Sequence, residues 1–252
     1  MSSSIDPRNY QPRPQLLDGR VILVTGAGSG IGAAAAAAFA AHGATLILLG
    51  RNTRHLEAVH DRIVAAGQPR PSLAVMDLAK AQGPAYFDLA AQIRASYGRL
   101  DGLLHNAAML GDRTPIEQYD VGTWHQVLHL NLTAPFVLTQ QLMPMLRESA
   151  DASVIFTSSG VGRRGRAYWG AYAVSKFGIE GLAQVLAEET RDATRIRVNC
   201  INPGGTRTAM RRQAYPAELP DARPEPSSIM GPYLYLMGPD SAGCTGQSLD
   251  CQ

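Results

Sequence analysis

Six short apolar runs rich in β-branched and leucine residues, at 21–24, 45–49, 73–76, 103–104, 154–156 and 196–201, alternate along this chain with segments of helical period. A run that is apolar at consecutive positions leaves no polar face for water, so a strand made from it is buried on both sides. Helices must then cover both faces, and each returns the chain so that successive strands run parallel. The pattern predicts an α/β fold, a doubly wound parallel sheet of about seven strands. Between the runs, 31–42 is almost all Ala and closes on Gly43, Leu56, Val59 and Ile63 precede Gly67, and Leu89, Ile93 and Tyr97 precede Gly98. A left-handed Gly after the last apolar position is a common helix stop, so each segment reads as a crossover helix. A longer helix follows from Trp124, Val127, Leu128, Val137 and Leu138, with a bend expected near Pro135.

The chain has 252 residues, enough for one well-filled core, and 16–252 is expected to form a single domain. Residues 1–15 read as a surface arm, and 211–226, rich in Pro and charge, reads as a long loop and candidate lid. The 23 basic and 21 acidic residues are interspersed, so neither a nucleic acid nor an anionic membrane is implied as partner. No apolar run reaches membrane-spanning length and the first 15 residues lack a secretory core, which makes a cytoplasmic location the expectation. Cys200, Cys244 and Cys251 form no ligand-like spacing, so they are expected to be reduced, and no metal site is expected.

The first apolar run leads directly into Thr25-Gly26-Ala27-Gly28-Ser29-Gly30-Ile31-Gly32, where the Ala-rich helix begins. Strand, glycine turn and helix in that order let backbone approach a pyrophosphate, whose charge the free N–H groups of the helix start favour. Gly26, Ser29, Gly30, Ile31 and Gly32 are therefore candidate dinucleotide ligands in a Rossmann-type sheet. The second strand ends in Gly50-Arg51-Asn52, with Gly where an acid would accept from a ribose 2′-OH. Gly50 removes a carboxylate that would repel a 2′-phosphate, and Arg51 offers paired charge-assisted hydrogen bonds, so NADP(H) is expected over NAD(H). Asn52, Asp77 and Leu78 lie at the same ends of neighbouring strands, although an Asp there serves equally as a cap.

Ser159 follows the fifth run, and thirteen residues later come Tyr172 and Lys176, one helical turn apart and so on one face. A phenol beside an ammonium is a usable proton donor or acceptor, and Lys176 is expected to lower the Tyr172 pKa. Seen alone, such a pair is an ordinary feature of a helix surface.

The Gly26, Gly30, Gly32 spacing and the ordered Ser159, Tyr172 and Lys176 resemble the short-chain dehydrogenase/reductase family over nearly everything from Asp18 onward. Short stretches such as Leu103-Leu104-His105-Asn106-Ala107 and Cys200-Ile201-Asn202-Pro203-Gly204 look like its YciK-type bacterial oxidoreductases. The resemblance implies that Tyr172 is the general acid/base, that Ser159 holds the substrate oxygen, and that Lys176 also bonds the nicotinamide ribose. It implies that Asn131 helps bind a relay water, that Asn106, Ala107 and Ala108 line the cofactor pocket, and that Pro203, Gly204, Thr206 and Thr208 meet the carboxamide and pyrophosphate. His105 and Ala108 depart from its N-N-A-G segment. A homodimer or homotetramer through the fourth and fifth helices is the implied assembly.

The reading that follows is a hydride transfer between NADP(H) and a small carbonyl or secondary alcohol. A dinucleotide-sensing protein with little turnover is the alternative, opposed by the retained Tyr172 and Lys176. Arg163, Arg164 and Arg166 border the expected substrate region and raise an acidic substrate or a subunit contact, while Trp169 and Met109 offer an apolar wall.

Overall fold

In the computed structural model the described residues are 6–192 and 194–252, with 220 described through its backbone. Seven strands, β1 (Val21–Thr25), β2 (Thr45–Gly50), β3 (Ser72–Val75), β4 (Gly102–His105), β5 (Ala152–Thr157), β6 (Ile196–Asn202) and β7 (Ser248–Asp250), form one sheet. Their order is β3-β2-β1-β4-β5-β6-β7, and every pairing is parallel. The long helices are α1 (Gly30–Ala41), α2 (Thr53–Ala65), α3 (Gly83–Tyr97), α4 (Val121–Leu128), α5 (Ala134–Glu148), α6 (Gly170–Thr190) and α8 (Met230–Met237), with a short α7 (Ala209–Ala214) before α8.

Strands β1, β2, β4, β5 and β6 bury both faces because alternate residues point opposite ways, whereas β3, at the sheet edge, is largely exposed despite its apolar run. Ile22, Val24, Leu46, Leu48, Leu104, Ile155 and Ile201 pack with Phe39 of α1 and Tyr233 of α8. Val21, Leu23, Ile47, Leu49, Leu103, Val154 and Phe156 pack with Tyr86 of α3, Leu138 of α5 and Ile179 of α6. Each fully buried Leu or Ile contributes on the order of 1.5–3 kcal/mol, so the continuous apolar runs leave this layered arrangement as the favourable one. The chain leaves β1 toward β2 and β3, and leaves β4 toward β5, β6 and β7. Between β1 and β4 the winding reverses, and a crevice opens there above the carboxyl ends of the strands.

Three features differ from the sequence reading. The expected long helix is α4 and α5 joined by a π-helical turn at His129–Thr133. Pro135 has no N–H to give the carbonyl of Asn131 four residues earlier, and its ring crowds that carbonyl, so the ladder opens in the turn before the proline. The expected loop at 211–226 begins inside α7, whose first turn is capped by Thr208 accepting from the Arg211 N–H at 3.1 Å. β7 is short and half-buried, with no apolar run to announce it.

Of the expected arm, 1–5 lie outside the described residues. From Asp6 onward the chain lies along the body. Tyr10 is buried, its hydroxyl donates to Asp240 Oδ2 at 2.7 Å, and its ring meets Tyr235 edge-on. Among the described residues no helix is long and apolar enough to cross a membrane.

Candidate active site

The crevice is a cleft of ≈ 520 Å³ that runs from Arg51 and Asp77 at one end, past the glycine turn, to Ser159, Tyr172 and Trp169 at the other. At its floor Gly26 takes φ +66° and Gly30 φ +54°, a region that L side chains seldom adopt. A Cβ on Gly32 would sit 2.3 Å from Gly26 O and 2.6 Å from Asn106 Nδ2. Gly32 therefore acts by letting α1 close on the turn, and it does not itself line the cleft. Thr25 fastens the turn to the end of β4: its hydroxyl accepts from the Asn106 N–H at 2.9 Å and the Ala107 N–H at 3.0 Å, while Asn106 Nδ2 donates to Thr25 O at 3.3 Å. Sequence reasoning passed over Thr25, whose signal was only its place before Gly26.

At the β2 end, Gly50 also serves packing, since a Cβ there would press on Leu56 Cδ2 at 3.2 Å. The Arg51 side chain lines the cleft and is exposed, and no ion pair or side-chain hydrogen bond holds it among the described residues. Its neighbours have local partners. Asn52 caps α2 by accepting from the His55 N–H at 3.1 Å, and Asp77 accepts from the Ala79 N–H at 3.1 Å. Both still line the cleft, with Leu78, Ala108, Ser29 and Ile31. His105 turns away into the core, where it stacks on Phe156 at 4.7 Å and its Nε2 meets Thr139 Oγ1 at 2.8 Å. Burial pushes its pKa down to about 3, so it stays neutral.

At the far end, Tyr172 and Lys176 stand in the first two turns of α6, both buried, with Ser159 at the end of the loop from β5. Burial pushes the Tyr172 phenol up to about 12, and the neighbouring Ser159 hydroxyl works against that rise. Lys176 is pushed down to about 8 by burial, with Cys200 and Glu180 opposing. The expected lowering of the Tyr172 pKa by Lys176 is not what governs it. Desolvation of the phenol dominates, and the Lys176 Nζ donates to Thr157 O at 2.7 Å, 5.5 Å from the Tyr172 ring centroid. In this setting Tyr172 holds its proton through the neutral pH range.

Asn131 is buried in the π turn and is absent from the cleft lining. Its Oδ1 accepts from the Met109 N–H at 2.9 Å, and its Nδ2 donates to Met109 O at 2.9 Å and to Ser175 Oγ at 3.1 Å. Ser175 donates in turn to Tyr172 O at 2.7 Å. Asn131 thus couples the loop after β4 to the turn of α6 that carries Tyr172. After β6, Pro203, Gly204, Thr206 and Thr208 all line the cleft. The Thr206 hydroxyl donates to Pro203 O at 3.1 Å and the Thr208 hydroxyl caps α7, so local structure already engages both side chains.

The three loop arginines do not line the cleft. Arg163 is paired with Asp250 at 2.9 Å and Glu180 at 3.5 Å, which ties the Ser159 loop to β7 and α6. Arg166 donates to the Tyr215 hydroxyl at 2.9 Å. The wall beside Tyr172 comes instead from Met109, Leu110, Trp169, Met210 and Ala214, of which only Trp169 and Met109 stood out in the sequence.

The chain as a whole is similar to known proteins. A short chain dehydrogenase family model matches residues 20–219. The uncharacterized oxidoreductase YciK of Escherichia coli K12 is 50% identical over 244 residues, spanning 97% of this chain and 96% of that protein. A Pseudomonas syringae structure assigned to the short chain dehydrogenases is 56% identical with a TM-score of 0.96, covering 97% of this chain and 99% of that one. Another so assigned, from Escherichia coli CFT073 and complexed with NADPH, is 50% identical with a TM-score of 0.93, over 96% and 100% of the two chains.

Proposed function

Because this chain belongs to the short-chain dehydrogenase family, whose members are oxidoreductases, we propose that it reduces a small carbonyl compound to an alcohol with NADPH, or runs the reverse oxidation with NADP⁺. The observation that carries the reading is the meeting of Ser159, Tyr172 and Lys176 at one end of a cleft whose other end is the glycine turn and Arg51. A dinucleotide fits this cleft by the chemistry of its lining. Gly26 and Gly30 let the turn's backbone come close, the start of α1 offers N–H groups for a pyrophosphate, and among the described residues Arg51 has no competing partner for a 2′-phosphate. The NADPH complex of the Escherichia coli CFT073 relative supports the same choice.

Bound NADPH supplies a hydride. Tyr172, protonated because burial raises its pKa, gives its proton to the carbonyl oxygen, so that C=O becomes CH–OH with charge balanced. In this reading the Ser159 hydroxyl donates to the same oxygen, and Lys176, whose Nζ donates to Thr157 O, holds a ribose hydroxyl and reprotonates Tyr172. Asn131 acts behind them by fixing the backbone at Met109 and the hydroxyl of Ser175.

Phe136 on α5 and Val174, Phe177 and Val185 on α6 are exposed, which supports a homodimer or homotetramer through these helices. Carbonyl-dependent NADPH oxidation, followed by absorbance over aldehydes, ketones and quinones, tests the catalytic reading. At least one class should be turned over, and oxidation independent of every carbonyl would contradict it.

A further inference from the structure

Pro203, Gly204 and Thr206 wall the cleft from a turn that lies past the end of β6, where backbone groups no longer have a strand ladder to pair with. Their partners come from the last residue of β7 and the two that follow it. The Cys251 N–H donates to Asn202 O at 2.9 Å. Gln252 Nε2 donates to Pro203 O and to Thr206 Oγ1, the latter at 3.3 Å. Asp250 Oδ1 accepts from Asn202 Nδ2 at 2.7 Å. Neither Asp250 nor Gln252 lines the cleft, so whatever they do for a ligand they do through the turn.

The Asp250 bond decides how Asn202 is used. An Asn amide offers an oxygen on one side and N–H groups on the other, and the two sides have nearly the same shape. An ionised carboxylate only accepts, so Asp250 draws the N–H side toward itself and leaves Asn202 Oδ1 facing the turn. There it accepts from the Gly204 N–H at 3.1 Å. With the amide reversed, oxygen would face oxygen at Asp250 and N–H would face N–H at Gly204. Gly204 stands at φ +70°, and its missing side chain leaves room for Gln252: a Cβ there would sit 2.7 Å from Gln252 Nε2. From its other side Asp250 is braced by Arg163 Nη1, at 2.9 and 3.1 Å.

We propose that Asp250 and Gln252 are positioning residues for the cofactor, Asp250 acting through the Asn202 amide and Gln252 through Pro203 O and the Thr206 hydroxyl, which together hold the turn in the shape that walls the cleft. This rests on the NADPH-binding part of the reading above and adds to it two residues outside the cleft. Loss of either side chain loosens the wall without removing an atom that lines it.

Three measurements on the full chain test it: hydrogen exchange over 200–206 without ligand, NADPH affinity by calorimetry, and carbonyl-dependent NADPH oxidation. Asp250→Ala and Gln252→Ala should each speed exchange at Gly204 and weaken NADPH binding by about three- to tenfold, the range expected for one hydrogen bond. Asp250→Asn, whose amide oxygen can still accept from Asn202, should return the affinity to within about twofold of the unaltered chain. Arg163→Ala loosens β7 but leaves the Asn202 bond in place, so its affinity should also stay within about twofold. Gln252 is exposed, so Gln252→Ala keeps the fold and carries the test even where Asp250→Ala does not fold. Unchanged affinity in the alanine variants of Asp250 and Gln252, or an equal loss in Arg163→Ala, overturns the proposal. If the affinities follow the expected order while no carbonyl is reduced by the unaltered chain, the positioning stands and the reductase reading fails. Level affinities together with carbonyl reduction have the opposite meaning.

Discussion

The two ends of the cleft are built from different materials. The Arg51 end is mostly backbone, a glycine turn with positive φ at Gly26 and Gly30, locked by Thr25 to the segment after β4. The Tyr172 end is mostly side chain, with Trp169, Leu110, Met210 and Ala214 drawn from separate loops and from α7. A backbone cradle suits a ligand with an invariant pyrophosphate, because main-chain N–H groups are there whatever the side chains. A side-chain wall can be refitted to a new substrate without disturbing the sheet. The difference also separates charge from neutrality: among the described residues Arg51 has no partner, whereas Arg211 and Arg207 do.

Arg51→Ala should break the first half of that contrast. Losing paired charge-assisted hydrogen bonds to a phosphate should weaken NADPH binding by about 10–100-fold, with NADH changed by about twofold or less. Calorimetric titration of both cofactors checks it, and parallel losses would remove Arg51 from 2′-phosphate recognition.

The burial of the Tyr172 end should be visible in how stability varies with pH. Lys176 titrates at about 8 in the fold against 10.5 unfolded. Between those values the unfolded chain binds more protons, so this residue makes stability rise as pH climbs from about 8 to 10.5, and its full burial cost is present below 8. Lys176→Met removes that slope. Urea midpoints measured across this range should show the gain from the variant to be greatest below pH 8 and to shrink above it, and a constant difference would argue that Lys176 is not desolvated.

The smallest effect belongs to Arg163→Ala. Its pairs with Asp250 and Glu180 are partly exposed, so their loss should cost about 1 kcal/mol or less and lower Tm by about 2–4 °C or less. KM values for carboxylated and neutral carbonyls should stay in the same ratio. A selective rise for the carboxylated ones would return the arginine loop to the substrate side.

What the sequence disclosed follows this same division. Six strands were legible because each carries a short run of apolar residues, interrupted in β6 by Arg197 and Asn199, and the glycine turn because its spacing is local. β7 was not: three half-buried or exposed residues, held by pairing to β6 and by Arg163, carry no pattern of their own. α7 hid in a Pro-rich, charged stretch, since a six-residue helix needs only the Thr208 cap and the packing of Ala214. Asn131 was legible as a position, but its clamp on Met109 and Ser175 depends on the π turn that Pro135 opens. The Trp169 wall was hardest to read. Its members lie dozens of residues apart, and no spacing rule links Leu110 to Ala214.

The central claim is that the two ends work as one reductase, with cofactor binding at the first and proton transfer at the second. Tyr172→Phe separates them, since the phenyl ring keeps the apolar contacts and loses only the hydroxyl. With NADPH affinity by calorimetry and carbonyl-dependent NADPH oxidation measured on the same preparation, binding should change by about twofold or less while turnover falls by about 10²–10⁴-fold. Turnover equal to that of the unaltered chain would contradict the assignment of Tyr172 as the proton donor.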